Sequence, residues 1–178
     1  CAKYDAKPQG EDLPGEAAGF RVIAGYGKTL SAVKVFPTTR SFTAGQNAPC
    51  LEYRFAVREA GAYEVELYLQ PSNPVATDNT LYYGIQANNG KIAVVNSIPP
   101  GYKVGESAEW AAGVLDNIRR SKSEIICTER LNTLKIYAVS PGFVLEKLVI
   151  YPAGKKPPVS YLGPPESYYI GKTKAQTL

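Results

Sequence analysis

The sequence predicts an all-β fold: a two-sheet antiparallel sandwich of jelly-roll type, with one short helix and an extended C-terminal tail. Three observations carry this expectation. Apolar residues recur at every second position through most of the chain, the signature of half-buried strands. Turn-forming residues interrupt these runs at short intervals, which gives about eight or nine strands. Only one stretch spaces its apolar residues four apart, as a helix does.

The chain opens on "CAKYDAK", within an N-terminal strand and loop placed at residues 1–18. "FRVIAG" and "SAVKVFP" then read as two short strands joined by "YGKTL". "LEYRFAVR" sets Leu51, Tyr53, Phe55 and Val57 on one face, and "AYEVELYL" does the same with Tyr63, Val65, Leu67 and Leu69. The intervening "EAGA", around Gly61, predicts a β-hairpin. After the long polar loop from Gln70 to Asn79, "LYYGIQA" alternates Leu81, Tyr83, Ile85 and Ala87. "NNGK" turns it into "IAVVNS", a second hairpin. "SAEWAAGVLDNIRRSKSEI" spaces Trp110, Val114 and Ile118 four apart. With Ser107 as the cap and Trp110 at the third helical position, a short amphipathic helix follows. "TLKIYAV" and "VLEKLVIYP" flank "SPG" and predict a third hairpin. Pro164 and Pro165 forbid helix and central-strand pairing in the closing segment. The tail, residues 158–178, is therefore expected to lie extended over the sandwich, with Tyr161 and Leu162 inserted into its surface. One domain spans residues 1–178, its sandwich at 19–157, with no internal repeat and no low-complexity linker.

The composition narrows the function classes. Hydrophobic content of 44% and charged content of 20% are those of a globular chain. The net charge is +4, but the basic residues are scattered, with short pairs only at Arg119–Arg120 and Lys155–Lys156. A nucleic-acid binder clusters them on one stripe, so nucleic acid is not an expected partner. No apolar run reaches the ~18 residues a transmembrane helix needs, and no charged-then-apolar leader is visible. The first residue is Cys1. It marks a processed start or a piece of something longer, and a lipid anchor at Cys1 is one expectation. There is no histidine and no CxxC pair, so structural zinc is not expected. Cys50 and Cys127 either form one disulfide or remain buried thiols.

Catalysis finds little support. Without histidine, neither a Ser-His-Asp nor a Cys-His arrangement can form, and no nucleophile elbow or phosphate-binding loop is present. Glycoside hydrolysis needs two carboxylates. Glu64 and Glu66 alternate with core residues and read as a solvated sheet face. Glu146 and Lys147 point to opposite faces, so one of them is expected inward or partnered, as a structural ion pair. Binding is better supported by 13 Tyr and one Trp, since aromatic rings stack on sugar faces and tyrosine adds a polar tip. The carbohydrate-binding candidates are Tyr26, Tyr82, Tyr102 and Trp110, with Tyr83 also considered, and the amides of Asn88 and Asn89. Tyr26 and Tyr102 sit beside glycines in loops, whereas Trp110 on a helical stripe also reads as a packing anchor. Asp78, Asn79, Asn88 and Asn89 carry oxygens suited to Ca²⁺, though Asn-Asn-Gly ordinarily builds turns. No other cofactor is expected.

The order of phrases resembles a known family. "GFRVIAGYGKTLSAVKVFPTT", "PCLEYRFAVREAGAYEVELYLQPSNP", "LYYGIQANNG", "EWAAGVLDNIRR" and "LNTLKIYAVSPGFVLEKLVIYPAGKKPPVSYLGPPES" follow one another. This series is similar to the C-terminal domain of glycoside hydrolase family 115, the xylan α-1,2-glucuronidases, over residues 19 to 167. Its most specific parts are "VSPGFVLEKLVIY" and "SYLGPPES". A weaker likeness is to jelly-roll carbohydrate-binding modules of families 6 and 35. The resemblance implies a non-catalytic accessory β-sandwich of a xylan-degrading glucuronidase. No catalytic residue carries over, because the matching motifs are structural. Implied partners are plant polysaccharide such as glucuronoxylan, the chain's own catalytic domain, or a second copy of itself. The implied location is extracellular or periplasmic. The alternative is a structural domain mediating dimerisation or a cell-surface or filament assembly.

Overall fold

The computed structural model describes residues 17–70, 74, 76–157, 163–165 and 167. Among them are nine strands and one helix: β1 (Gly19–Ala24), β2 (Ser31–Phe36), β3 (Cys50–Ala56), β4 (Gly61–Leu69), β5 (Tyr82–Ala87), β6 (Ala93–Asn96), α1 (Ala108–Asp116), β7 (Arg119–Cys127), β8 (Leu131–Ala138) and β9 (Val144–Pro152). They form a five-stranded sheet, β1-β2-β9-β4-β7, and a four-stranded sheet, β3-β8-β5-β6. Every pairing is antiparallel. This is the predicted two-sheet sandwich. No helix among the described residues is long and apolar enough to cross a membrane.

Period two explains the core. Val65, Leu67 and Leu69 of β4 meet Tyr83 and Ile85 of β5 and Leu134 and Ile136 of β8 in one buried cluster. Phe143, between β8 and β9, is fully buried there and packs against Phe20 and Tyr83 at centroid distances of 6.2 and 5.7 Å. The Tyr83 hydroxyl crosses the sandwich to Ser121 and Ser123 of β7, at 2.9 and 3.1 Å. Those contacts satisfy a polar group that burial would otherwise penalise.

Two of the predicted hairpins are replaced by arches. β3 pairs with β8, not with β4, and β9 pairs with β4 and β2, not with β8. Both connections carry the chain from one sheet to the other. The alternation is as expected in each strand, but period two says which side faces inward, not which neighbour is bonded. The β5–β6 hairpin forms as predicted, and the two strands read at the start of the chain also pair as a hairpin, β1–β2.

The helix starts as predicted, with Ser107 Oγ accepting the Trp110 N–H at 3.3 Å. It ends earlier than the four-residue stripe implies. Asn117 turns left-handed (φ 52°) and caps the helix, so Ile118 lies beyond it and joins Tyr68, Val149 and Tyr151 in a separate cluster. Val114 is half exposed instead of buried. The rest of that segment is β7, a strand the apolar pattern did not reveal.

The outer face of the five-stranded sheet is covered around Glu66, although its β7 margin stays exposed. Glu66 is only 4% exposed, and Glu64 accepts the Tyr151 hydroxyl at 2.7 Å with Lys122 at 3.8 Å. Gly163 of the tail is buried on this face, so close that a Cβ there would lie 2.9 Å from the Tyr68 hydroxyl. Lys147 donates its ammonium to the Pro164 carbonyl. The tail thus lies on the sandwich where it is described; Tyr161 and Leu162 fall outside the described residues, as does Cys1. Cys127 is a free, buried thiol, so a Cys50–Cys127 bridge is not realised; Cys50 is disulfide-bonded, so the two do not both remain thiols either. Cys50 starts β3 opposite Tyr137, whereas Cys127 ends β7 just before the turn into β8, at the other end of the sandwich. Burial pushes the Cys127 thiol pKa up.

Candidate functional site

An open cavity of about 240 Å³ lies at one end of the sandwich. It sits between the β4–β5 loop, the end of β6 and the loop leading to α1. Asp78, Asn79, Asn96 and the Pro99–Tyr102 turn line it. Its geometry is fixed from below. Leu81, Ile98 and Tyr102 are buried together, with Trp110 packed against them. Asn96 Oδ1 accepts the backbone N–H groups of Leu81 and Ile98, both at 3.1 Å. That locks the carboxamide between two segments and turns its Nδ2 group away from these bonds. Asn79, in the left-handed region (φ 57°), reaches the Tyr102 carbonyl at 3.5 Å. Asp78 Oδ1 accepts the Thr80 hydroxyl at 2.7 Å. The result is one carboxylate and two amides around a pre-formed depression. Such groups recognise hydroxyls by donating and accepting in pairs.

The structure separates the residues expected from the sequence. Tyr102 is buried beside the cavity, its hydroxyl accepting from Arg119 Nη2 at 3.0 Å, with the guanidinium 4.8 Å over its ring. Burial lowers the Arg119 pKa, and Tyr102 opposes that shift. Tyr82 pairs directly with Asn96 and shares its face of the sheet. Trp110 is half-buried in the floor. Tyr26 is 41% exposed in the β1–β2 loop. Asn88 and Asn89 lie at the opposite end. Asn88 is a turn residue (φ 51°) whose side chain bonds the Thr133 N–H at 2.9 Å and Asn132 at 3.0 Å, and Asn89 is exposed in the same turn. The four oxygen-bearing side chains weighed for Ca²⁺ therefore belong to two distant turns. Among the described residues no three His, Cys, Asp or Glu side chains gather as a metal site. Asn96 escaped the sequence reading, although a polar residue ending "IAVVN" before "SIPP" marks a strand terminus.

A second polar cluster lies under the β1–β2 loop. A register shift opposite Tyr68–Leu69 displaces Glu146 from the ladder. Its Oε2 accepts from the Thr29 N–H at 3.2 Å and the Thr29 hydroxyl at 3.4 Å. Lys28, with a side chain only 2% exposed, pairs with Asp116. Glu146 Oε1 and Gln70 Nε2 are buried with no hydrogen-bond partner. Both members of the Glu146–Lys147 pair are thus partnered, but not with each other. Burial raises the Glu146 pKa, against the lowering effect of the Thr29 and Lys28 N–H groups and the Lys28 charge. The folded state therefore holds this proton more tightly than the unfolded chain. The contribution is fully present below the ordinary glutamate pKa of about 4.3 and is lost as pH rises through the higher folded value. Glu146→Gln should flatten the fall in thermal midpoint above pH ~4 relative to wild type; a parallel pair of pH profiles contradicts this.

The described molecule is thus a jelly-roll-type sandwich with a polar cavity at its loop end. Comparison with known proteins places it further. The glycosyl hydrolase family 115 C-terminal domain matches residues 6–166, and the chain belongs to that family. Among solved structures, it is similar to a family GH115 4-O-methyl-α-glucuronidase with specificity for decorated arabinogalactans. The TM-score is 0.60 and the identity 22%, over 86% of this chain and 18% of that one. The chain thus spans under a fifth of that enzyme. A family 35 carbohydrate-binding module from Clostridium thermocellum aligns at TM-score 0.48 and 17% identity, over 76% of this chain and 88% of that one. An exo-β-1,3-galactanase from Phanerochaete chrysosporium aligns at 0.48 and 14%, over 79% and 28%. No curated protein sequence matches.

Proposed function

We propose that this chain is the non-catalytic accessory sandwich of a secreted glucuronidase acting on xylan, and that it binds plant polysaccharide, glucuronoxylan in the first instance, at the Asp78–Asn96 cavity. The observation that carries the reading is the convergence of Asp78, Asn79 and Asn96 on one pre-formed depression beside Tyr82. Membership of a glycosyl hydrolase C-terminal family supports a carbohydrate ligand. The cavity holds a single carboxylate among its lining residues, which suits hydroxyl recognition rather than two-carboxylate hydrolysis.

A titration tests it. Trp110 packs beneath the cavity, so its fluorescence should report saturable binding of glucuronoxylan, with unsubstituted xylan and cellulose as controls. Asp78→Ala removes a charged hydrogen-bonding group and should weaken binding about tenfold or more. Tyr82→Ala should weaken it several-fold through lost ring contact. Absence of binding to all three polysaccharides sinks the reading.

A further inference from the structure

The chain holds seven arginines, and five of them are engaged. Arg21, Arg40, Arg119 and Arg120 lie over aromatic rings at 4.8 to 5.0 Å, and Arg54 pairs with Glu52 at 3.6 Å. The guanidinium groups of Arg58 and Arg130 have no hydrogen bond, ion pair or ring contact among the described residues. These two line one open cavity of about 300 Å³, together with Ala56 and Val57. Strand β8 relates it to the first cavity. Leu131 at one end of β8 stands opposite Ala56. Ala138 at the other end stands opposite Tyr83, next to the Tyr82–Asn96 pair. Eight residues of strand therefore hold the two cavities roughly 25 Å apart. The basic cavity is anchored from within. Val57 is buried in the main core, and its N–H donates to the Arg130 carbonyl at 2.8 Å. That bond ties the β3–β4 connection to the β7–β8 turn, so both arginine backbones are fixed while their side chains stay exposed. Glu59 and Glu129 adjoin the arginines in the chain, yet neither lines the cavity or pairs with either guanidinium among the described residues.

We infer that Arg58 and Arg130 form a second glycan subsite, one that holds the carboxylate of a uronic acid unit. A guanidinium presents its N–H donors in a planar fork that matches the two oxygens of a carboxylate. Two such forks on one cavity offer more donors than a neutral hydroxyl can accept, whereas a carboxylate takes several and carries the opposite charge. It also offsets the repulsion between two cations that share one cavity. Ala56, Val57 and the arginine stems add apolar surface for the C–H face of a sugar ring. The first cavity is unsuited to this unit, because Asp78 lines it and repels a second carboxylate. The charged unit is thus directed to the basic end and neutral units to the other. The sugar nature of the ligand rests on the reading of this chain as a glycan-binding sandwich; the demand for a carboxylate rests on the two arginines.

The test is isothermal titration calorimetry on the full chain with two ligands: a glucuronic-acid-substituted xylo-oligosaccharide, and the same oligosaccharide with its carboxyl group reduced to the alcohol. The wild type is expected to bind the acid about fivefold or more tightly than the reduced form. Arg58→Ala/Arg130→Ala should erase that preference. Its thermal midpoint should stay that of wild type, since both side chains are exposed and unpartnered among the described residues. Lys155→Ala/Lys156→Ala removes the same charge from another exposed pair and should keep the preference. Asp78→Ala should weaken both ligands and keep it too. Equal binding of the two ligands by the wild type overturns the inference. So does an arginine variant that retains the preference, which leaves the role of the first cavity standing. Loss of the preference in the lysine variant overturns it as well, by assigning the effect to net charge. Sodium sulfate that competes as well as sodium glucuronate makes this a general anion site and overturns the uronate assignment. An Asp78→Ala protein that binds like wild type, with the preference intact, fails the Asp78–Asn96 reading and supports this one. Binding of neither ligand overturns both.

Discussion

Phe143→Ala is expected to lower stability by about 3–5 kcal/mol, the largest loss from any single substitution considered for this chain. The ring is fully buried in the main core. It touches Phe20 on one sheet and Tyr83 on the other. Truncation thus removes transfer energy and leaves a void that both sheets border. Neither can move to fill it, because the Phe143 carbonyl holds the Val35 N–H at 3.2 Å and fixes the backbone beside β2. For a domain of this size the thermal midpoint should fall by roughly 10 °C or more. Phe143→Leu keeps most of the volume and should cost about 1.5 kcal/mol or less. Urea denaturation of the two variants separates void formation from a general intolerance of change. Equal, small losses in both would mean that the ring does not bridge the sheets.

Gly27→Ala should be the next most damaging change, at about 3 kcal/mol. Two causes add. Gly27 lies at φ +74°, in the left-handed region, which costs an alanine about 1–2 kcal/mol. A Cβ there would also lie 2.1 Å from Glu146 Oε1 and 2.5 Å from Gln70 Nε2. These are side-chain ends, but they are not free to swing. Glu146 is held by Thr29 and buried beneath the loop. Displacing it forfeits bonds to a buried carboxylate, at about 1–3 kcal/mol. The double variant Gly27→Ala/Glu146→Ala should recover the clash but not the backbone strain, so it should be less than additive. Thermal melts of the four proteins close that cycle, and strict additivity would contradict the described contact.

The strands that read most clearly in the sequence are those with apolar residues at every inward position. Leu51 to Val57, Tyr63 to Leu69 and Leu81 to Ala87 all face the core as expected. Strand β7 was illegible for a physical reason. Its inward positions begin with Arg119, Ser121 and Ser123, polar groups that only the distant Tyr102 and Tyr83 hydroxyls make tolerable. No local pattern announces a partner so far along the chain. The same limit hid the arches, because strand alternation does not name the neighbouring strand. The tail was legible through its prolines, while the face it lies on was misread. Glu64 and Glu66 look like solvent contacts until Tyr68 and Tyr151 are seen to gather beside them. The candidate cavity was half visible: Tyr82, Tyr102, Asp78 and Asn79 were singled out, but from separate arguments, and only the fold brings them to one end.

The strand order has one more implication, for the timing of assembly. The last strand among the described residues, β9, occupies the middle of the five-stranded sheet, between β2 and β4. Until Val144–Pro152 has left the ribosome, the β1–β2 hairpin and the β4–β7 pair have no shared hydrogen-bonded neighbour. Only β9 joins the two pairs into one sheet. Vectorial synthesis therefore cannot build this sheet from one edge to the other, and what a chain stopped before residue 144 lacks is not a margin but the centre.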